Sequence, residues 1–270
     1  DKVGAKVVGW YYGHLMPEKK VSWRSQLRKA YDEAVAELGK RFPGTEFRNV
    51  HYMNPSSIKN AVEELLTAGC DTIVYQNFNS AVYSDFEDFG HSLVKTHEYT
   101  AGRAKVIMAD QVGNQGPMRE AYAQILVDQL KSLRKDASVL VIISRHGHPF
   151  KKETQDTHAS LYREPLEARL REVMSAWQGK WEIVKSFDEY ADEYWDPKHT
   201  KFETHAAYRK AIEEGFDYAI ELPTEFTAEN TDLMIFHAMK KFNAFSDYNR
   251  NDPIPYPDWE QPLVRTFHEG

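Results

Sequence analysis

Two histidines directly follow the most apolar stretch of this chain. Residues Val139 to Ile143 are apolar and mostly β-branched, which predicts a strand that is buried on both faces. His146 and His148 come next, with Gly147 and Pro149 to turn the backbone away from the strand. Imidazole binds metal ions and exchanges protons near neutral pH. The pattern predicts a metal or proton-transfer site at the carboxyl end of this strand; two loop histidines without a chemical role are the alternative.

Three carboxylates follow a second predicted strand, which ends at Leu222. They are Glu225, Glu229 and Asp232. If both strands belong to one parallel sheet, their carboxyl ends meet at the same edge, where α/β proteins bind ligands. One imidazole with one or two carboxylates would bind a divalent first-row metal loosely, or would pass protons between a base and an acid. The alternative is that Glu229 and Asp232 are acids that stabilise the amino terminus of a helix.

Segments with strand and helix patterns alternate along the chain and would position these side chains. The predicted strands are 5–12, 46–53, 71–78, 105–108, 139–143, 181–186 and 217–222. The predicted helices are 23–41, 58–68, 85–100, 118–134, 165–177, 204–214 and 230–242. This alternation is typical of parallel sheets with helices on both faces.

The two parts of the chain also share short sequence motifs in the same order. Gly13-His14 and Gly147-His148 each follow a predicted strand, and Gly69-Cys70-Asp71 matches Gly215-Phe216-Asp217 ahead of another strand. We therefore predict an α/β fold of two similar Rossmann-like halves, each a parallel sheet flanked by helices, with a cleft between them. The predicted division is 1–135 for the N-terminal half, 136–245 for the C-terminal half with the site, and 246–270 for a Pro-rich tail.

Composition excludes several classes of function. The formal net charge of -7 argues against nucleic acid as the main partner, which would need a basic face. No apolar run approaches the roughly 20 residues that span a bilayer, so membrane association is not indicated. Cys70 is the only cysteine, which excludes an internal disulfide and fits a cytoplasmic protein. The Gly-rich phosphate-binding motifs, a Gly-x-Ser-x-Gly elbow and His-Glu-x-x-His do not occur. Composition makes no prediction of oligomeric state.

Three ordered motifs in the second half resemble the ferrochelatase family, in the wider class of tetrapyrrole metal chelatases that includes the sirohydrochlorin cobaltochelatases. The family carries Ser-Ala-His-Gly-x-Pro after a strand, and this chain has Ser-Arg-His-Gly-His-Pro at 144–149. The family's Trp-Leu-x-Pro-x-Thr resembles Trp-Asp-Pro-Lys-His-Thr at 195–200, which is one residue shorter. Its Pro-x-x-Phe-x-Ser-Asp-His-x-Glu-Thr resembles 223–233, and its Tyr-Ser loop resembles Tyr83-Ser84.

The resemblance implies a role for each matching residue. His146 would accept the pyrrole protons of a distorted macrocycle and ligate the metal, with Asp232 in the place of the family's catalytic Glu. Glu229-Asn230 replaces an Asp-His pair, so that either Asp232 or Glu229 is the acidic partner at the metal. The residues expected to bind the ring are Arg145, His148, Tyr83 and Trp195. No cofactor would be permanently bound, because Fe²⁺ or Co²⁺ is a substrate of the reaction.

The favoured function is therefore insertion of a divalent metal into a porphyrin-type ring, and Fe²⁺ is the favoured metal. The alternatives are a cobaltochelatase acting on sirohydrochlorin, and a protein of the same fold that binds a tetrapyrrole or a metal without turnover. A metal-dependent α/β hydrolase that uses His146, His148 and a carboxylate is a further alternative. The expected partners are the small tetrapyrrole and the divalent metal.

Overall fold

The computed structural model describes residues 23–50, 55–76, 87–109, 112–145, 162–187 and 202–224. From residue 55 onward helices and strands alternate, as the sequence predicts. The helices are α1 (Trp23–Arg41), α2 (Pro55–Thr67), α3 (Glu87–Thr100), α4 (Gly116–Lys131), α5 (Glu164–Met174) and α6 (Thr204–Glu213), with a short 3₁₀ helix at Val112–Asn114. The strands are β1 (Thr72–Tyr75), β2 (Lys105–Met108), β3 (Val139–Arg145), β4 (Trp181–Phe187) and β5 (Tyr218–Pro223).

Contacts divide the described residues into two compact units. The first contains α1 to α3 with β1 and β2, and the second contains α4 to α6 with β3 to β5. Helix α4 lies ahead of the predicted boundary at residue 135 and packs within the second unit, against α5 and β5. The boundary at 135 remains a prediction. The fold is α/β with parallel strands in two small sheets that are flanked by helices, as the sequence predicts at this level.

The second unit is built around β3, the strand predicted from its apolar run. All its residues are buried, and it pairs in parallel with β4 on one side and β5 on the other. Alternate side chains face opposite helices because side chains of a strand alternate between the two faces. Val139, Val141 and Ile143 pack with α4 and α5, whereas Leu140 and Ile142 pack against α6. This double burial explains the unbroken apolar sequence of β3.

The first unit has a smaller sheet, in which β1 pairs with β2 in parallel. Ile73 is buried with Ile58 and Val62 of α2 in an apolar cluster. The neighbouring residues point to the other face, where Val74 is 60% exposed and Ile107 is 37% exposed. Among the described residues, this sheet is therefore well covered on one face only.

One predicted strand is wrong over the part that the structure describes. The sequence predicts a strand at 46–53, but residues 45–50 have no regular secondary structure. Arg48 donates hydrogen bonds to Glu64 at 2.6 Å and to Glu46 at 3.0 Å, and Val50 packs against the apolar cluster of the first unit. Side-chain contacts to α2 hold this segment, and no strand ladder forms.

Three further predictions cannot be compared with the structure. The predicted strand 5–12, the predicted helix 230–242 and the Pro-rich tail lie outside the described residues. In the parts of the chain that the structure describes, no helix has the length and apolar character needed to cross a membrane.

Candidate functional site

Strands β3 and β5 end side by side. Ser144 pairs with Pro223 in the parallel register, and the carbonyl oxygen of Ser144 accepts two hydrogen bonds from Thr224. The Thr224 amide donates at 3.0 Å and the Thr224 Oγ1 donates at 3.1 Å. Because the two strands are parallel, both carboxyl ends reach the same edge of the sheet. The segments that follow β3 and β5 therefore start from neighbouring points.

Two tyrosines donate hydrogen bonds to backbone carbonyl groups at the end of β5. Tyr122 of α4 donates to the carbonyl oxygen of Pro223 at 3.4 Å, and the hydroxyl of Tyr162 donates to the carbonyl oxygen of Thr224. Both tyrosines are buried, and Tyr162 lies in a π-helical turn directly before α5. Buried hydroxyl donors thus satisfy the carbonyl groups of Pro223 and Thr224 at the end of β5.

A carboxylate lies on the α6 face of this edge. Glu221 of β5 accepts a hydrogen bond of 2.6 Å from Ser144 Oγ and another from the hydroxyl of Tyr208. Ser144 and Tyr208 are both fully buried. We call Ser144, Glu221 and Tyr208 the carboxyl-edge contact. It joins β3, β5 and α6 through side chains, in addition to the backbone ladder.

The α6 face of the sheet changes from apolar to polar along the strands. Leu140 and Ile142 of β3 meet the apolar side of α6, and Ser144 follows them on the same face. At the same level Ser186 of β4 forms a hydrogen bond of 2.9 Å with Thr204 of α6, and both are fully buried. Buried polar groups remain stable only when they are paired. On the α6 face, these paired polar groups lie at the carboxyl edge, beyond the apolar residues of β3.

Two arginines lie on the opposite, α5 face of the same edge. Arg145 is 4% exposed and Arg163 is 6% exposed. Their guanidinium carbons lie 5.1 Å and 4.9 Å from the ring centroid of Phe187, within reach of cation–π attraction. Arg163 also donates to the carbonyl oxygens of Ile143 and Ser186, both at 3.4 Å. Both guanidinium groups are thus held against one aromatic ring at this edge.

Sequence reasoning found only part of this arrangement. Arg145, predicted to bind the ring, is the last residue of β3, and its role stays a prediction. Arg163 and Glu221 were not predicted, because their importance follows from neighbours that are far away in sequence. Glu221 had one local signal, since an acidic residue interrupts an otherwise apolar strand, Tyr218–Pro223.

The structure describes one of the predicted site residues, Arg145. The others lie outside the described residues, so their convergence stays a prediction: His146, His148, Tyr83, Trp195, Glu229 and Asp232. Glu225, which was considered with them, lies outside as well. Within the described ranges, no group of three or more His, Cys, Asp and Glu side chains is placed to hold a metal ion.

The amino edge of the same two strands carries a comparable contact. Asp217, directly before β5, accepts hydrogen bonds from the Ser138 amide at 2.7 Å and from Ser138 Oγ at 2.9 Å. Arg134 donates to the same carboxylate at 3.2 Å. The backbone hydrogen bond from Ser138 is the main cause that holds the pKa of Asp217 below its ordinary value. We call Ser138, Asp217 and Arg134 the amino-edge contact.

A separate cavity of about 340 Å³ lies in the first unit, at the amino end of β1. Cys70, Asp71 and Arg103 are among its lining residues, and Cys70 is partly exposed. Arg103 donates hydrogen bonds of 2.7 Å and 3.3 Å to Glu63, so its charge is already compensated. Ligands of parallel sheets bind at the carboxyl ends of strands, and this cavity lies at the other end.

No model of a known protein family matches this chain, and no curated protein is detectably similar to it. The functional assignment therefore depends on the motifs and on the geometry of the carboxyl edge.

Proposed function

We propose that this chain is a tetrapyrrole chelatase that inserts a divalent metal into a porphyrin-type macrocycle. Fe²⁺ is the favoured metal. The joined ends of β3 and β5 are the observation that carries the proposal. Ser144 accepts both hydrogen bonds from Thr224, so the motif with His146 and the motif with Glu229 and Asp232 start from adjacent points of one edge. A base and an acid that act on the same metal need this proximity.

Each proposed role follows from the chemistry of metal insertion. A divalent metal replaces two pyrrole N–H protons of the ring, so the site must accept protons while it presents the metal. His146 accepts the protons and ligates the metal, and Asp232 or Glu229 supplies the carboxylate. Few ligands give weak binding, which suits a metal that has to leave the protein for the ring. No cofactor is permanently bound, and Fe²⁺ or Co²⁺ is the metal substrate.

Binding of the ring is proposed to use both charge and aromatic contact. Arg145, at the carboxyl end of β3, is proposed to meet a carboxylate side chain of the porphyrin. His148, Tyr83 and Trp195 complete the proposed ring-binding set. The macrocycle would lie in a cleft between two Rossmann-like halves of a cytoplasmic protein. Parallel strands flanked by helices within each unit support the α/β class of the proposed fold.

A spectroscopic titration tests the proposal. The purified protein is titrated with metal-free porphyrins and with sirohydrochlorin, and Fe²⁺ or Co²⁺ is then added without oxygen. We expect a shifted Soret band on ring binding, followed by the spectrum of the metallated ring over many turnovers. The pair that turns over fastest identifies the ring and the metal together. Absence of any spectral shift with every ring would contradict the proposal.

The second candidate is a carrier that binds the ring or the metal without turnover. The observation that favours it is the altered acid motif, in which Asp232 replaces a Glu and Glu229-Asn230 replaces an Asp-His pair. A shorter carboxylate reaches less far towards the metal. In the same titration, a carrier would shift the Soret band but leave the ring unmetallated after Fe²⁺ or Co²⁺ is added.

A further inference from the structure

We infer that Glu221 is a positioning residue of the proposed chelatase site, because it holds the ends of β3 and β5 together through Ser144 and Tyr208. The inference rests on the proposed function, since the segments that it positions carry His146 and the acidic pair. Glu221 does not belong to any of the three motifs of the family resemblance that end at Pro149, Thr200 and Leu233. Its assignment comes from contacts in the folded chain.

Ser144 uses its side chain and its backbone for the same purpose. Its hydroxyl donates to Glu221 at 2.6 Å, and its carbonyl oxygen accepts both hydrogen bonds from Thr224. Every one of these bonds crosses from β3 to β5 or to the residue after it. Tyr208 binds the second carboxylate oxygen of Glu221 from α6. The ends of the two strands are therefore fixed relative to each other and to one helix.

Burial indicates that this contact has a role beyond stability. Ser144 and Tyr208 are fully buried, and Glu221 is partly buried beside them. A carboxylate at this place loses hydration that its hydrogen bonds only partly replace. A carboxylate kept there despite this cost is expected where function needs a defined geometry.

The amino-edge contact offers a matched control. Asp217 joins the same two strands through Ser138, but its side chain is 40% exposed and lies at the opposite edge. If Glu221 acts only on general stability, its removal should resemble the removal of Asp217. If it positions the site, the two changes should differ in catalysis.

Three variants separate these cases: Glu221→Leu, Glu221→Gln and Asp217→Asn. Leu removes both side-chain contacts, whereas the Gln amide can accept from Ser144 and donate to Tyr208. We expect Glu221→Leu to lower kcat for metal insertion by about tenfold or more, with KM for the ring nearly unchanged, because displaced groups slow the reaction more than they weaken binding. Glu221→Gln should retain most of kcat. Asp217→Asn should leave kcat unchanged.

Two further measurements do not depend on turnover. The Tm of Glu221→Leu should fall by about 5–15 °C, because the buried hydroxyls of Ser144 and Tyr208 lose their acceptor. The kcat values are therefore compared per folded molecule, well below that Tm. Hydrogen exchange of the Thr224 amide should become about tenfold faster in Glu221→Leu, since its acceptor Ser144 is held less firmly. Asp217→Asn should not change that exchange rate.

The outcomes distinguish this inference from the proposed function. If the parent inserts no metal into any ring, the proposed function fails, and the Thr224 exchange rates alone decide whether Glu221 fixes the strand ends. Equal Thr224 exchange in all variants would overturn the inference. A loss of kcat in Asp217→Asn as large as in Glu221→Leu would overturn it too, because both changes would then act through stability.

Discussion

The two edges of the three-stranded sheet use the same kind of contact in different surroundings. At each edge a serine of the β3 side donates to a carboxylate of the β5 side, through Ser138 to Asp217 and through Ser144 to Glu221. The third residue of the amino-edge contact differs from that of the carboxyl-edge contact. It is Arg134 at the amino edge, with a side chain that is 61% exposed, and the fully buried Tyr208 at the carboxyl edge.

This difference separates a contact that joins strands from one that also shapes a site. Water solvates the amino-edge carboxylate, so its hydrogen bonds contribute little and are readily replaced. The carboxyl-edge carboxylate lies among buried hydroxyl groups, where each hydrogen bond is stronger and each lost partner costs more. Two buried arginines lie on the opposite face of that edge. Charged and polar groups are thus concentrated where an α/β sheet binds its ligands.

The largest expected difference between the edges is catalytic. His146→Ala, in the segment that follows β3 in the sequence, should lower the rate of metal insertion by about 10² to 10⁴, because the proposed base is lost. Ser138→Ala at the amino edge should leave the rate per folded molecule unchanged. Initial rates of metal insertion, measured with the ring and metal of fastest turnover, test this. Unaltered insertion by His146→Ala would show that another residue is the base.

Removal of a single hydroxyl should have a smaller effect, on stability. Tyr208→Phe leaves one oxygen of Glu221 without its donor, and we expect the free energy of unfolding to fall by about 1–3 kcal/mol. Tyr218→Phe, on β5 near the amino edge, is the matched control and should change it by less than about 0.5 kcal/mol. Urea unfolding at neutral pH measures both. Equal effects would remove the proposed contrast between the edges.

The pH dependence of the amino-edge contact follows from the lowered pKa of Asp217. Its stabilising contribution is present above the ordinary pKa of 3.8 and is lost as the pH falls through the lower pKa of the folded protein. The parent should therefore be more stable than Asp217→Asn at neutral pH, by less than about 1 kcal/mol for an exposed group. Below pH 3.8 this difference should shrink. Urea midpoints over a pH series measure it, and a difference that grows on acidification would contradict the sign.

The smallest expected effect belongs to Arg134. Its guanidinium lies 3.2 Å from Asp217, but both side chains are largely exposed. Arg134→Gln should lower the free energy of unfolding by at most about 0.5 kcal/mol at low salt, and by less at 1 M salt because ions screen the pair. Urea unfolding at two salt concentrations checks this. A salt-independent loss above 1 kcal/mol would show that Arg134 contributes by packing.

Local patterns in the sequence were sufficient for much of the secondary structure. The apolar run 139–143 predicted β3, and the structure extends this strand to Arg145. The helix predicted at 23–41 and the strand predicted at 105–108 have the predicted bounds. The predicted strand at 46–53 was wrong over residues 46–50, because Arg48 binds Glu64 of α2 and the backbone does not join a sheet. The convergence of His146 with Glu229 and Asp232 remains a prediction.

The sequence by itself determined most of the described helices and strands, that the fold is α/β with parallel strands, and that Arg145 lies at the end of a buried strand. These properties follow from apolar periodicity, which acts over a few residues. Only the tertiary structure decided that β5 lies beside β3, and so that Glu221 meets Ser144 and Arg163 meets Phe187. Strand order depends on how whole helices and strands pack, and residues that are distant in sequence become neighbours only when that packing is complete.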